Sequence, residues 1–235
     1  MLSKVEKILT QKPMNRYDLN LDSRFDFAYE TTKSFFQNNS EIKNVFDIGS
    51  GSELMRDKIE SLGLNYYSFD LFPPNETVRK WNIEEPFPYN EKADIVIFLE
   101  VVEHLNNPLL SLQNISKLIT KGGCLILSTP NPSWSGSRLS LLRNGYLDMF
   151  KVKDLEINHH VFTAWQHIVV YFLKECNFSQ IKINTLGKKT RVTAFPFWGI
   201  KMPFRLFYRG IKILIEKKDS TAIGALYGIV AIKEN

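Results

Sequence analysis

Apolar positions follow two alternating rhythms along the chain. "NVFDIGSG" (44–51) is a short apolar run that ends in a glycine-serine turn, and "ELMRDKIESLGL" (53–64) then sets Leu54, Ile59 and Leu62 at helical spacing before Gly63. The pattern repeats as further strands in "NYYSFD" (65–70), "VRKWNI" (78–83), "ADIVIFL" (93–99) and "CLILST" (124–129), with an amphipathic helix through Leu109, Leu112, Ile115 and Ile119 between the last two. "TAWQHIVVYFLKECNF" (163–178) returns to helical spacing, and "QIKINTL" (180–186) and "ALYGIVAIK" (225–233) read as closing strands. Strands alternating with helices predict an α/β fold with a mainly parallel sheet covered on both faces.

Two stretches interrupt the rhythm. "SWSGSRLSLLRNGYLDMFK" (133–151) is rich in Ser, Gly and aromatics, and residues 132–158 are expected to form a lid or insertion. "FPFWGIKMPFRLFYRGIKILIEKK" (195–218) interleaves Phe204, Phe207, Ile211 and Leu214 with Arg205, Arg209 and Lys212, inside a basic aromatic insertion spanning 190–222. It reads either as a packed helix with a solvated basic face or as a membrane-surface element. With a helical N-terminal extension over 1–40, the whole of 1–235 is expected to be one domain, and 44% hydrophobic content is enough for one well-filled core.

Charge changes the picture of the tail. The net charge is +5, yet from Lys182 onward eleven Lys/Arg stand against three Asp/Glu, so this end favours anionic partners. Cys124 and Cys176 have no metal-ligand spacing and are too few for a disulfide framework, which points to a reducing cytosol. No segment approaches the ~20 apolar residues of a membrane-spanning helix, so a cytoplasmic chain, at most peripheral at a membrane, is expected.

The chemistry sits at strand ends. The turn "DIGSGS" (47–52) lets backbone approach a ligand at Gly49 and Gly51, and Asp70 at the end of the second strand can accept hydrogen bonds from the vicinal hydroxyls of a ribose. A dinucleotide fingerprint needs a third glycine where Glu53-Leu54 stands, so an adenosine-type cofactor without a pyrophosphate is favoured. In "IFLEVVEHL" (97–105), Glu100, Glu103 and His104 follow a buried-strand run, at i, i+3 and i+4. On a short helical turn that spacing gathers two carboxylates and an imidazole on one face.

These residues, in this order, resemble the class I S-adenosylmethionine-dependent methyltransferases. The likeness is to small-molecule, lipid and glycan enzymes sharing the pattern DIGCGSG…D…PFP…D-x-V-x-x-x-E-V-x-E-H, and it spans roughly residues 44 to 183. The resemblance implies a Rossmann-like fold with a seven-stranded sheet and S-adenosylmethionine as cofactor. It places Asp47, Gly49, Ser50 and Gly51 around the methionine moiety, Asp70 on the ribose, and Leu71, Asn82, Ile83 and Leu99 along the rest of the cofactor. Ser50 stands where the family commonly has Cys, and Glu53 where a third glycine is frequent.

The Glu-x-x-Glu-His run is also similar to that of ubiquinone-pathway O-methyltransferases and small-RNA 2′-O-methyltransferases, in which a later histidine completes a metal site. "NHHVFTAW" (158–165) supplies one, with His160 preferred to His159. The resemblance thus implies a Mg²⁺ or other divalent-cation site of Glu100, Glu103, His104 and His160, with Glu103, His104 and His160 as catalytic residues. His104 as a metal-free general base and a purely structural role both stay open. His167, within a helical stretch, is expected to be structural or surface. The implied reaction is O-methylation of a small-molecule, nucleotide-sugar, glycan or lipid-linked acceptor. A small-RNA enzyme or a non-catalytic cofactor-binding protein is the alternative, but nucleic acid is disfavoured because no RNA-binding module is recognisable.

Overall fold

The computed structural model describes residues 24–187 and 202–234. Its strands are β1 (Asn44–Ile48), β2 (Asn65–Asp70), β3 (Arg79–Lys80), β4 (Ala93–Leu99), β5 (Ile119–Pro130), β6 (Phe178–Leu186) and β7 (Leu226–Lys233). They form one seven-stranded sheet in the order β3-β2-β1-β4-β5-β7-β6. The first five run parallel, and β7 inserts antiparallel between β5 and β6. The strand-helix alternation predicts the mainly parallel α/β sheet, and the resemblance its Rossmann-like, seven-stranded form.

The described helices are α1 (Arg24–Asn38), α2 (Arg56–Glu60), α3 (Pro108–Leu118), α4 (Ser135–Asn144), α5 (Val152–Asn158), α6 (Gln166–Glu175) and α7 (Met202–Lys218). Strand side chains alternate between two cores. Along β4, Val96 and Phe98 join Leu112 and Ile115 of α3 and Val169 and Leu173 of α6 in one cluster. Ile95, Ile97 and Leu99 point the other way, to Phe27 and Phe35 of α1 and Met55 and Ile59 beside and within α2. Both faces of β4 are therefore dry, which explains its near-continuous apolar sequence.

Several expectations need correction. The predicted helix over 53–64 shrinks to α2, with Met55 buried and Leu54 62% exposed, because the turn after Gly51 consumes the residues that the helical spacing had claimed. "VRKWNI" pairs as a strand only at Arg79 and Lys80, and Trp81 and Ile83 fold inward instead. The N-terminal extension is helical where it is described, as α1, and it packs on the sheet: Phe27 lies so close to β7 that a Cβ at Gly228 would meet its ring. Residues 1–23 lie outside the described residues.

The tail helix reverses the packed-helix reading. Phe207 and Leu214 are 70% and 60% exposed, whereas Lys212 is buried. Phe195, Phe197 and Trp198, and the side chains of Phe204 and Arg205, lie outside the described residues. No described helix is long and apolar enough to cross a membrane.

Candidate functional site

The carboxyl ends of β1, β2 and β4 converge, and the first wall is backbone. Gly49 and Gly51 hold φ of 74° and 49°, a left-handed region costly for side-chain-bearing residues. A Cβ at Gly49 would also run into Cγ2 of Val101, so the glycine turn and the segment after β4 touch here. Gly49 N–H donates to the Phe69 carbonyl at 2.8 Å, and Gly51 N–H donates to Asp70 Oδ2 at 3.0 Å. Phe72 N–H donates to Asp70 Oδ1 at 2.9 Å. Each Asp70 oxygen is aimed by one backbone donor and keeps accepting capacity for a ligand. Ser50 Oγ is buried with no hydrogen-bond partner among the described residues. A polar atom in that condition fits a site built to receive a polar ligand.

Glu53 resolves the missing glycine. Its φ of 57° keeps the left-handed conformation that a glycine would adopt freely. Its carboxylate turns into the fold, ion-paired with Arg56 and accepting from Ser68 Oγ and Thr77 Oγ1 at 2.5 Å each. Burial pushes this carboxyl up, but the hydrogen bonds from Arg56, Ser68 and Thr77 outweigh it and hold it at about 2. The charge is thus neutralised beside the turn instead of facing into it.

Asp47 points into the same core face, nearly inaccessible, and accepts a 2.5 Å hydrogen bond from the Tyr66 hydroxyl. Burial raises its carboxyl to about 7 despite that bond, with Glu53 and Asp70 adding to the rise. The remaining cofactor-side expectations scatter more. Leu71 is exposed beside Asp70, and Leu99 ends β4 in the core. Ile83 is buried, its carbonyl accepting from Asn114. The Asn82 amide is engaged within its own turn, donating to Glu85 at 3.1 Å and accepting from Glu84 N–H.

The second wall is built from side chains. After β4, Glu100 adopts φ 55°, and a 3₁₀ turn (Val102–His104) follows. A glutamate in that region is strained, and such strain concentrates at functional sites. Val161 and Phe162 N–H both donate to the Glu103 carbonyl at 3.0 Å, which draws the His160 segment onto the turn. Ligand atoms of Glu103, His104 and His160 thereby lie within 4.8 Å of one another. The two imidazoles meet edge to face, ring centroids 4.9 Å apart. Glu100 does not join this group: its Oε1 accepts from Ser128 Oγ at 2.8 Å. His159 is exposed, capping α5 with a left-handed backbone, and His167 is exposed on α6.

Electrostatics in this wall follow from uneven burial: Glu103 is buried, whereas the His104 and His160 rings reach the surface. Burial pushes Glu103 up to about 8, and the neighbouring Glu100 carboxylate adds to it. Burial raises Glu100 too, partly offset by Ser128. His104 is lowered by burial and then by His160, so it is held neutral. The Glu103 carboxyl and the His104 imidazole, both resisting charge and meeting the His160 ring, form a site poised for a cation or a proton.

Sequence reasoning missed the residues that support this wall. Thr129 Oγ1 donates to Glu103 Oε2 at 2.9 Å, beside Ser128 on Glu100. Ser-Thr at the end of an otherwise apolar strand was the available signal. The Met149 carbonyl lies 2.6 Å from His160 Nδ1. An Nδ1–H donating there leaves the Nε2 lone pair as the ligand atom of His160.

The described residues of the two interruptions meet in one cap. Ser135 Oγ donates to Glu216 Oε1 at 2.5 Å, Arg138 pairs with Asp219, and Lys212 Nζ sits 4.6 Å over the Trp134 ring. Asn131, just beyond β5, donates to the Thr221 and Gly224 carbonyls at 2.8 and 3.0 Å, fixing the cap to the sheet edge.

A family model described as a methyltransferase domain matches residues 21–179. Among curated proteins, the chain is 26% identical over 137 residues to a ubiquinone biosynthesis O-methyltransferase of Rickettsia bellii, covering 53% of this chain and 57% of the relative. It is 32% identical over 101 residues to one from Cereibacter sphaeroides, covering 37% and 41%. The chain thus spans about half the length of the curated relatives it matches. Among solved structures, a SAM-dependent methyltransferase from Archaeoglobus fulgidus superposes with TM-score 0.56 at 18% identity, over 89% of this chain and 96% of that one. A plantazolicin methyltransferase in complex with SAH gives 0.53 at 14% identity, over 99% and 90%.

Proposed function

The chain belongs to the methyltransferase-domain family, in the class I S-adenosylmethionine-dependent superfamily, and we propose that it methylates an oxygen of a small-molecule, glycan or lipid-linked acceptor at a metal-assisted site. The observation that carries this reading is the meeting of Glu103, His104 and His160 beside the glycine turn, with Val101 seated on Gly49. S-adenosylmethionine supplies a methyl group already activated by its sulfonium, so the protein has mainly to align attack and manage the acceptor proton. On this reading Gly49, Ser50 and Gly51 receive the methionine moiety, Asp70 the ribose hydroxyls, and Leu71 and Asn82 border the adenine.

Glu103, His104 and His160 would hold Mg²⁺, Mn²⁺ or Zn²⁺, a mixed oxygen and nitrogen set that suits each. A divalent cation held there would supply Lewis acidity to an acceptor hydroxyl. Thr129 orients the Glu103 carboxylate, and Met149 sets the His160 tautomer. Glu100, bound to Ser128, stands outside that set. The relatives named for ubiquinone biosynthesis make a quinone precursor one acceptor class to test.

His104 as a metal-free base is the second reading, favoured by its lowered pKa, which keeps the imidazole able to accept a proton at neutral pH. Transfer from methyl-labelled S-adenosylmethionine to a panel of catechol, nucleotide-sugar and polyprenyl-linked acceptors, before and after chelation, separates the two. Loss in chelator with recovery on Mg²⁺ or Mn²⁺ is expected. Full activity in chelator leaves His104 as the base. Labelling confined to nitrogen or carbon would remove the O-methylation reading.

A further inference from the structure

Helix α7 faces the wrong way for a core element. Its inward side carries Lys212 over Trp134 and Glu216 on Ser135, with Asp219 just beyond it on Arg138. Its outward side carries Leu206, Phe207, Ile213 and Leu214, two exposed apolar pairs two turns apart on one face. The adjoining α4 repeats this design: Ser135, Ser137, Leu139 and Ser140 are buried, whereas Leu142 is 82% exposed. Soluble faces of folded chains rarely expose apolar groups in such concentration without a partner.

Charge narrows what the partner can be. At this end of the cap Glu216 and Asp219 are turned inward onto Ser135 and Arg138 and Asp148 is paired with Lys151, while Lys217, Lys218 and Arg143 remain exposed. The outward surface thus combines apolar side chains with cations. We propose that the α4/α7 cap is a docking surface for an anionic lipid bilayer, with Phe207 and Leu214 inserted at headgroup depth and Lys217, Lys218 and Arg143 on the lipid phosphates. A second copy of this chain fits less well, because an isologous contact would press the same cations against one another. The cap reaches the chemistry through the 145–151 loop, whose Met149 carbonyl lies on His160. Resting on the methyl-transfer reading, this also implies that the acceptor carries a lipid tail and arrives from the bilayer.

Flotation of the full chain with vesicles tests the surface without any acceptor. Wild type is expected to float with phosphatidylcholine vesicles containing phosphatidylglycerol and not with phosphatidylcholine alone. Phe207→Glu/Leu214→Glu should lower partitioning at least about tenfold. Lys217→Glu/Lys218→Glu should do so with a weakened salt dependence. Unchanged thermal melting and S-adenosylhomocysteine affinity in these variants would show an intact fold and donor site, so failure of flotation is separable from failure of the methyl-transfer reading. Wild type that ignores anionic vesicles, or floats equally with neutral ones and in both variants, overturns the proposal. So does a wild-type dimer that Phe207→Glu/Leu214→Glu converts to monomer while no form floats.

Discussion

The turn at 47–53 and the cap at 132–158 and 202–222 border the same sheet edge but are held by different physics. The turn is positioned by main chain: two glycines of positive φ, a β2 carbonyl, and backbone donors on Asp70. The cap is held by side-chain contacts between segments more than sixty residues apart, such as Ser135 with Glu216 and Arg138 with Asp219. Backbone positioning tolerates little substitution, whereas each polar cap contact is individually weak. Donor binding should therefore be brittle, and the acceptor side adaptable.

The sharpest way to break that contrast is Gly49→Ala. It adds a Cβ where Val101 already sits and forces alanine to a φ of 74°. A loss of about 2–5 kcal/mol in stability is expected, with S-adenosylhomocysteine affinity falling below detection in calorimetry. A variant that melts and binds like wild type would show that the turn is not held as described.

Next in size is a pH effect centred on Asp47. Its folded pKa of about 7 lies above the ordinary value of 3.8, so the stability it contributes is full below pH 4 and is lost as pH rises through 7. On the order of 4 kcal/mol at most is involved. Glu53 runs the other way, but its pKa of about 2 keeps its contribution constant across this window. Asp47→Asn should flatten the fall in ligand-free melting temperature between pH 5 and pH 8; equal slopes in both proteins would contradict the buried carboxyl.

The smallest effect is expected in the cap. Arg138→Ala removes an ion pair whose partners are about one-third exposed, so it should cost below about 1 kcal/mol and leave S-adenosylhomocysteine affinity unchanged. A loss as large as that of Gly49→Ala would erase the distinction between the two regions.

The same contrast explains what was legible in the sequence. The succession of strands along the chain, the glycine turn, Asp70 and the Glu-x-x-Glu-His run are local patterns, because strand burial and a positive φ impose residue types directly. Leu54 misled because helical spacing cannot show that a turn has consumed the first residues of a helix. Lys212 misled because a basic residue reads as solvated unless its distant partner Trp134 is known. Glu100 shows the same limit: i, i+3, i+4 spacing groups it with Glu103 and His104, but its left-handed φ and Ser128, reached through β4-β5 pairing, draw it aside. Ser128 and Thr129 become informative only once β5 is seen beside β4.

The central claim is that Glu103, His104 and His160 form a cation site beside the donor turn, and Mn²⁺ binding followed by electron paramagnetic resonance in the presence of S-adenosylhomocysteine tests it most directly. Wild type is expected to bind Mn²⁺ stoichiometrically, and His160→Ala to lose that binding while retaining S-adenosylhomocysteine affinity. Wild type without specific Mn²⁺ binding, or a His160→Ala protein that binds Mn²⁺ as tightly as wild type, would contradict it.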